Sequence, residues 1–217
     1  MKGTRQKRSW LVLESGSTPA GRVAARTIRG CLDAVWSELA VAVGDSGDAD
    51  SVHRLRVATR RALAAIDAFG DLLPPRRRSW FEKRLSEVRR AAGDARDLDV
   101  LTGRLAATPE GGRHPRSKAM AARHRLVAML TRQRDDSRDP IRELHRRLVA
   151  AGWDDRVEDL IARIPSNASQ PTFAAYAREH FKPIVDRFFE KADRKLRDDD
   201  DVHRLRIAGK KLRYAIE

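Results

Sequence analysis

The chain has 217 residues, with 45 Lys and Arg against 31 Asp and Glu for a net charge of +14, and 41% of it is hydrophobic. A chain of that length buries a real core as one large domain or two small ones, which excludes a disordered basic tail. Arginine outnumbers lysine 36 to 9. The planar guanidinium grips phosphate oxygens in pairs, so the first expected partner is a phosphate-bearing polyanion.

Residues 1–8 are basic but are followed only by the short apolar run Trp10-Leu11-Val12-Leu13. No run approaches the ~18–20 apolar residues that a membrane span needs. Neither a signal peptide nor a membrane anchor is expected, and the expected location is cytoplasmic. Residues 10–14 are the only strand-like stretch.

Apolar residues then repeat at helical spacing: Ile28, Leu32, Val35, Trp36, Leu39 and Val43, next Leu55, Ala62, Ile66 and Phe69, then Phe81, Leu85 and Val88. Cys31, the single cysteine, lies on the first of these faces and reads as a small core residue in a reducing compartment. Further helices are expected over 119–134, 140–151, 156–164 and 172–197, with Pro140 and Pro171 as first-turn prolines and Pro183 dividing the last. Breaks fall at 44–48, 73–75, 108–112, 152–153 and 165–171. The expected fold class is all-α, a helical bundle with short loops.

One sixteen-residue segment occurs twice. Residues 52–67, VHRLRVATRRALAAID, align without a gap to residues 202–217, VHRLRIAGKKLRYAIE, with eight identities and four conservative pairs. Ser51 and Asp201 stand where N-caps of the two helices are expected. At about 100° per residue, His53, Arg56 and Arg60 share an arc of roughly 60° with Arg61 on its shoulder, opposite Leu55, Ala62 and Ile66. In the second copy His203, Arg206, Lys210 and Lys211 oppose Leu205, Leu212 and Ile216; Tyr214 joins the basic face and Arg213 its edge. Segments 52–61 and 202–213 contain nine cationic residues and no acid. Like charges one turn apart repel by a few tenths of a kcal/mol per pair, so such a stripe calls for a compensating ligand or nearby acids. One such stripe alone reads as a solvated helix face; two copies with the same spacing favour a binding surface.

These segments resemble the signature helices of the CHAD family, the conserved-histidine α-helical domain. His53, Arg56, Arg60 and Arg61 fill a His-x-x-Arg-x-x-x-Arg-Arg pattern, and His203, Arg206, Lys210, Leu212, Arg213 and Tyr214 fill His-x-x-Arg-x-x-x-Lys-x-Leu-Arg-Tyr. Residues 93–100, GDARDLDV, look like the family's Gly-x-x-Arg-Asp-x-Asp-Val segment on a following helix. The resemblance covers 20–217, with 1–19 as an N-terminal extension. It implies duplicated helical bundles with pseudo-twofold symmetry around a basic groove, the first at 20–164 and the second beginning at 171–217. It also implies binding of inorganic polyphosphate and association with polyphosphate granules. The implied contacts are His53, Arg56, Arg60, Arg61, Arg96, His203, Arg206, Lys210, Lys211, Arg213 and Tyr214, with Arg123 and Arg134 as weaker additions. Residues 1–19 are too short for the triphosphate-binding tunnel domain found ahead of some members. The chain stops at Glu217 inside the second signature helix, so the second bundle is expected to be incomplete: either the chain is a fragment, or Leu205, Leu212 and Ile216 are covered by a partner, as in a homodimer.

Other chemistry is weaker. His53 and His203 lack His or carboxylate partners at i+3 or i+4, and a cationic stripe opposes a divalent metal, so no metal or cofactor is expected. Asp94, Asp97 and Asp99 would point in different directions on a helix, Asp97 orienting neighbouring arginines. A phosphate-transferring or hydrolysing enzyme using His53 and His203 is the least favoured alternative; no nucleotide-binding glycine loop accompanies them, and a non-catalytic role is expected. Nucleic acid is the nearer competitor. Aromatics make up only 6% of the chain, the stripes lack interleaved rings apart from Tyr214, and Trp10, Trp36, Trp80 and Trp153 read as core. A base-blind anion fits better.

Overall fold

A computed structural model describes residues 15–44, 49–107, 117–167 and 169–216. The strand-like stretch at 10–14 lies outside them. Among the described residues the chain is all-α: α1 Ala20–Val43, α2 Ala49–Ala68, α3 Pro75–Ala107, α4 Ser117–Asp136, α5 Asp139–Ala150, α6 Trp153–Ala162, α7 Phe173–His180, α8 Lys182–Ala192 and α9 Asp199–Ile216, with a 3₁₀ turn at Gly70–Leu72. The sole extended pairing among them is an isolated bridge between Pro19 and Thr172.

Punctuation follows the sequence closely. Pro75 opens α3 and Pro140 lies in the first turn of α5. Gly152, at φ 68°, supplies the left-handed turn between α5 and α6. Pro183 lies in the first turn of α8 and separates it from α7 at Phe181. Pro171 differs from expectation: it precedes the cap of α7, whose Thr172 hydroxyl accepts the Ala175 N–H. The two motif caps also differ. Ser51 lies buried inside α2, and Asp201 lies inside α9, where the cap is Asp198, its Oδ1 accepting the Asp201 N–H at 2.7 Å. Asp201 in turn accepts the Arg197 N–H, an exchange close to a capping box.

The described residues fall into two compact units. One comprises Asp33–Arg60 and Phe81–Asp155. Its core draws on Val35 and Leu39 of α1, Val52 and Leu55 of α2, Phe81, Leu85, Val88, Ala92 and Ala95 of α3, and Ile141, Leu144 and Leu148 of α5. Each fully buried Leu, Ile or Phe contributes about 1.5–3 kcal/mol of transfer free energy. Trp153 anchors this core, stacked on Trp36 at 5.5 Å and met edge-on by Phe81 at 5.3 Å.

The other unit comprises the described parts of Met1–Leu32, Arg61–Trp80 and Arg156–Glu217. Ile28, Leu32, Ile66 and Leu160 are fully buried in it. Phe69, Phe173, Tyr176 and Phe181 form a ring cluster beside them, and the Tyr176 hydroxyl donates to the Ala68 carbonyl at 3.0 Å. Ion pairs hold α6: Arg29 to Glu158, and Arg77 and Arg163 both to Asp159, whose carboxyl they pull down to about 2. Trp80 is half-buried rather than core, with the Arg156 guanidinium 4.6 Å from its ring centre.

Candidate functional site

The first motif copy occupies α2 as the amphipathic reading requires. Val52, Leu55, Ala62 and Ile66 are fully buried. On the opposite side His53 is exposed while Arg56, Arg60 and Arg61 are half-buried. Within its unit, Arg56 crosses to α3, where Nη1 donates to the Ala92 carbonyl at 3.3 Å. That contact explains Gly93: a Cβ there would lie 3.2 Å from Arg56 Nη1, tighter than ordinary packing. The first residue of the GDARDLDV segment thus has a guanidinium lying against it.

Electrostatics make Arg56 the most strained cation of this wall. Its pKa is lowered first by its own partial burial and next by the charge of Arg60; Asp97 opposes the shift, while Arg96 and Arg89 add to it. Arg89 carries no signature in the sequence motif. Its only sequence mark is its position one turn before Gly93 and two turns before Arg96 on α3. Asp97 acts on arginine charge as the sequence suggests. Asp94 and Asp97 are exposed and Asp99 is buried, so Asp99 faces a different way from the other two. Among the described residues no group of three or more His, Cys, Asp or Glu is placed to hold a metal ion.

The second copy occupies α9, which packs on α8. Gly209 permits the approach, since a Cβ there would stand 3.3 Å from the Phe188 ring. His203, Arg206, Lys210 and Arg213 are exposed and Tyr214 is half-buried, with the Arg213 guanidinium 4.8 Å from the Tyr214 ring centre. The apolar back differs from that of the first copy. Leu205 and Leu212 are half-buried, and Val202 and Ile216 are exposed. The side chains of Lys211 and Arg134 lie outside the described residues; Arg123 is half-buried on α4.

A shared pattern of pairing separates the cations of both copies. The third residue of each motif forms an ion pair, Arg54 with Glu38 at 2.9 Å and Arg204 with Asp201 at 2.7 Å. Among the described residues His53, Arg56, Arg60, His203, Arg206 and Lys210 form no ion pair with an acid. Repeated spacing and the lack of an ion pair with a described acid therefore coincide on the same six positions.

A protein-family model described as the CHAD domain matches residues 26–217, and the chain belongs to that family. The crystal structure of the CHAD domain from the plant Ricinus communis shares the fold, with a TM-score of 0.70 and 22% identity over 99% of this chain and 70% of that one. No curated protein sequence matches significantly. No helix among the described residues is long and apolar enough to cross a membrane.

Proposed function

We propose that the chain binds inorganic polyphosphate and does so without catalysis, using the basic faces of both motif helices. His53, Arg56, Arg60, Arg61 and Arg96 contribute from the first copy and His203, Arg206, Lys210, Lys211, Arg213 and Tyr214 from the second; Arg123 and Arg134 extend the surface. The observation that carries the reading is the cost of Arg56 without a ligand. A half-buried guanidinium among Arg60, Arg89 and Arg96 is destabilised as a charge, and a linear polyanion relieves that repulsion through charge-assisted hydrogen bonds. Phosphates need no base-stacking platform, consistent with stripes that carry a single tyrosine. Duplication of one helical unit accounts for two helix faces of like chemistry, and recruitment to cytoplasmic polyphosphate granules follows from the same binding.

Long-chain polyphosphate binding, measured against salt, tests this. Arg56→Ala with Arg206→Ala should weaken binding at least tenfold and flatten the salt dependence, with helicity retained. Single-stranded RNA or duplex DNA that displaced polyphosphate at equal phosphate concentration would favour the nucleic-acid reading instead. Phosphate release that vanished in His53→Ala would favour an enzyme.

A further inference from the structure

Resting on the polyphosphate reading, we infer that Arg89 is a further phosphate-contacting residue and that Gly93 positions Arg56 in line between Arg89 and Arg96, so that α3 presents a row of three guanidinium groups to a linear anion. The register of α3 carries this. Arg56 reaches the helix at Ala92 and Gly93. At about 100° per residue, the midpoint of those two positions shares its azimuth with Arg89 and with Arg96 to within about 10°. Arg90, the next residue along, points about 110° away. Arg89 and Arg96 are seven residues apart, about 10 Å along the axis, with the Arg56 contact halfway. One guanidinium from α2 thus fills the gap between two from α3.

Charge and exposure agree with that geometry. Arg89 is exposed, and among the described residues it forms no ion pair with an acid. It is near enough to Arg56, as Arg96 and Arg60 are, to oppose its charge, and Asp97 is the acid that partly offsets the group. Helix α3 gains nothing from this row by itself, because like charges repel. Glycine in a helix interior is likewise unfavourable relative to alanine. Both features disfavour the helix and are accounted for together if the row serves an anion.

The sharpest consequence is that stability and binding should part at position 93. Gly93→Ala strengthens α3, and the end of the Arg56 side chain, being flexible, shifts aside rather than breaking the fold. The melting temperature should rise by about 2–4 °C, while affinity for long-chain polyphosphate falls about fivefold to tenfold. Arg89→Ala should lose about as much affinity and lower the salt slope by about one contact. Arg90→Ala removes the same charge from the same helix and should lose much less.

All four variants, with Arg56→Ala as the reference, are compared by polyphosphate titration at several salt concentrations together with thermal unfolding. Equal losses for Arg89→Ala and Arg90→Ala, or wild-type affinity in a folded Gly93→Ala, would overturn the row. Should Gly93→Ala fail to fold, the arginine pair still decides. Unchanged binding in Arg56→Ala would instead overturn the polyphosphate site on which the inference rests.

Discussion

Two glycines on α1 have opposite surroundings, and substituting each should move stability in opposite directions. Gly21 lies in the first turn of α1, and a Cβ added there would stand 1.5 Å from the carbonyl oxygen of Pro165 and 2.7 Å from its carbonyl carbon. That is about 2 Å short of ordinary contact, against backbone rather than a movable side chain. Relief requires displacing the loop between α6 and α7, which is tied to α1 by the Ala20 N–H donating to the Pro171 carbonyl at 2.9 Å. Overpacking of this kind costs about 1–3 kcal/mol, and a lost backbone hydrogen bond about 1 kcal/mol more; the gain in helix propensity returns at most about 1 kcal/mol. The net loss of about 1–3 kcal/mol lowers the melting temperature by roughly 2–12 °C for a chain of this size. Gly30, further along α1, is exposed and has nothing within 4 Å of its added Cβ. Gly30→Ala should therefore raise the melting temperature by about 2–4 °C. Thermal unfolding followed by circular dichroism measures both. If Gly21→Ala melts at or above the wild-type temperature, α1 and the α6–α7 loop do not meet as described.

Two further predictions concern buried groups. Burial pushes the Cys31 thiol from 9.0 up to about 11, against a smaller opposing effect of Arg61. The native thiol should resist iodoacetamide at pH 8 and react once the protein is denatured; rapid native labelling would refute its burial. Because the folded value is the higher one, the stability the thiol confers is complete below pH 9.0 and is lost as pH rises through about 11. Cys31→Ala should remove that alkaline slope, about 1.4 kcal/mol per pH unit. Tyr176→Phe removes the hydroxyl that donates to Ala68, which should cost about 1 kcal/mol in urea unfolding and leave polyphosphate affinity unaltered; an unchanged unfolding midpoint would count against that bond.

What the sequence made legible was set by local chemistry. Proline and glycine at 75, 140, 152 and 183 act on their own backbone, so the breaks they announce appear where expected. Periodicity located the helices for the same reason, although in the single helix Pro75–Ala107 it marked only Phe81, Leu85 and Val88. Burial depends on what lies opposite, and the two motif copies separate the effects cleanly. Val52 is fully buried and its counterpart Val202 is 49% exposed; Ile66 is fully buried and its counterpart Ile216 is 69% exposed. Identical or equivalent residues on helices of the same pattern thus have opposite surroundings, which no periodicity within sixteen residues encodes. Candidate cations divide along the same line. His53, Arg56 and Arg60 were legible because their spacing recurs 150 residues later. Arg89 was not, because its relation to Arg56 passes through a contact between α2 and α3 that only the fold supplies. Gly93 stands between the two cases: the motif marked it, and the guanidinium lying against it gives the mark a physical cause. A glycine explained by a neighbouring arginine, rather than by its own backbone conformation, is what ties the sequence motif of one helix to the chemistry of another.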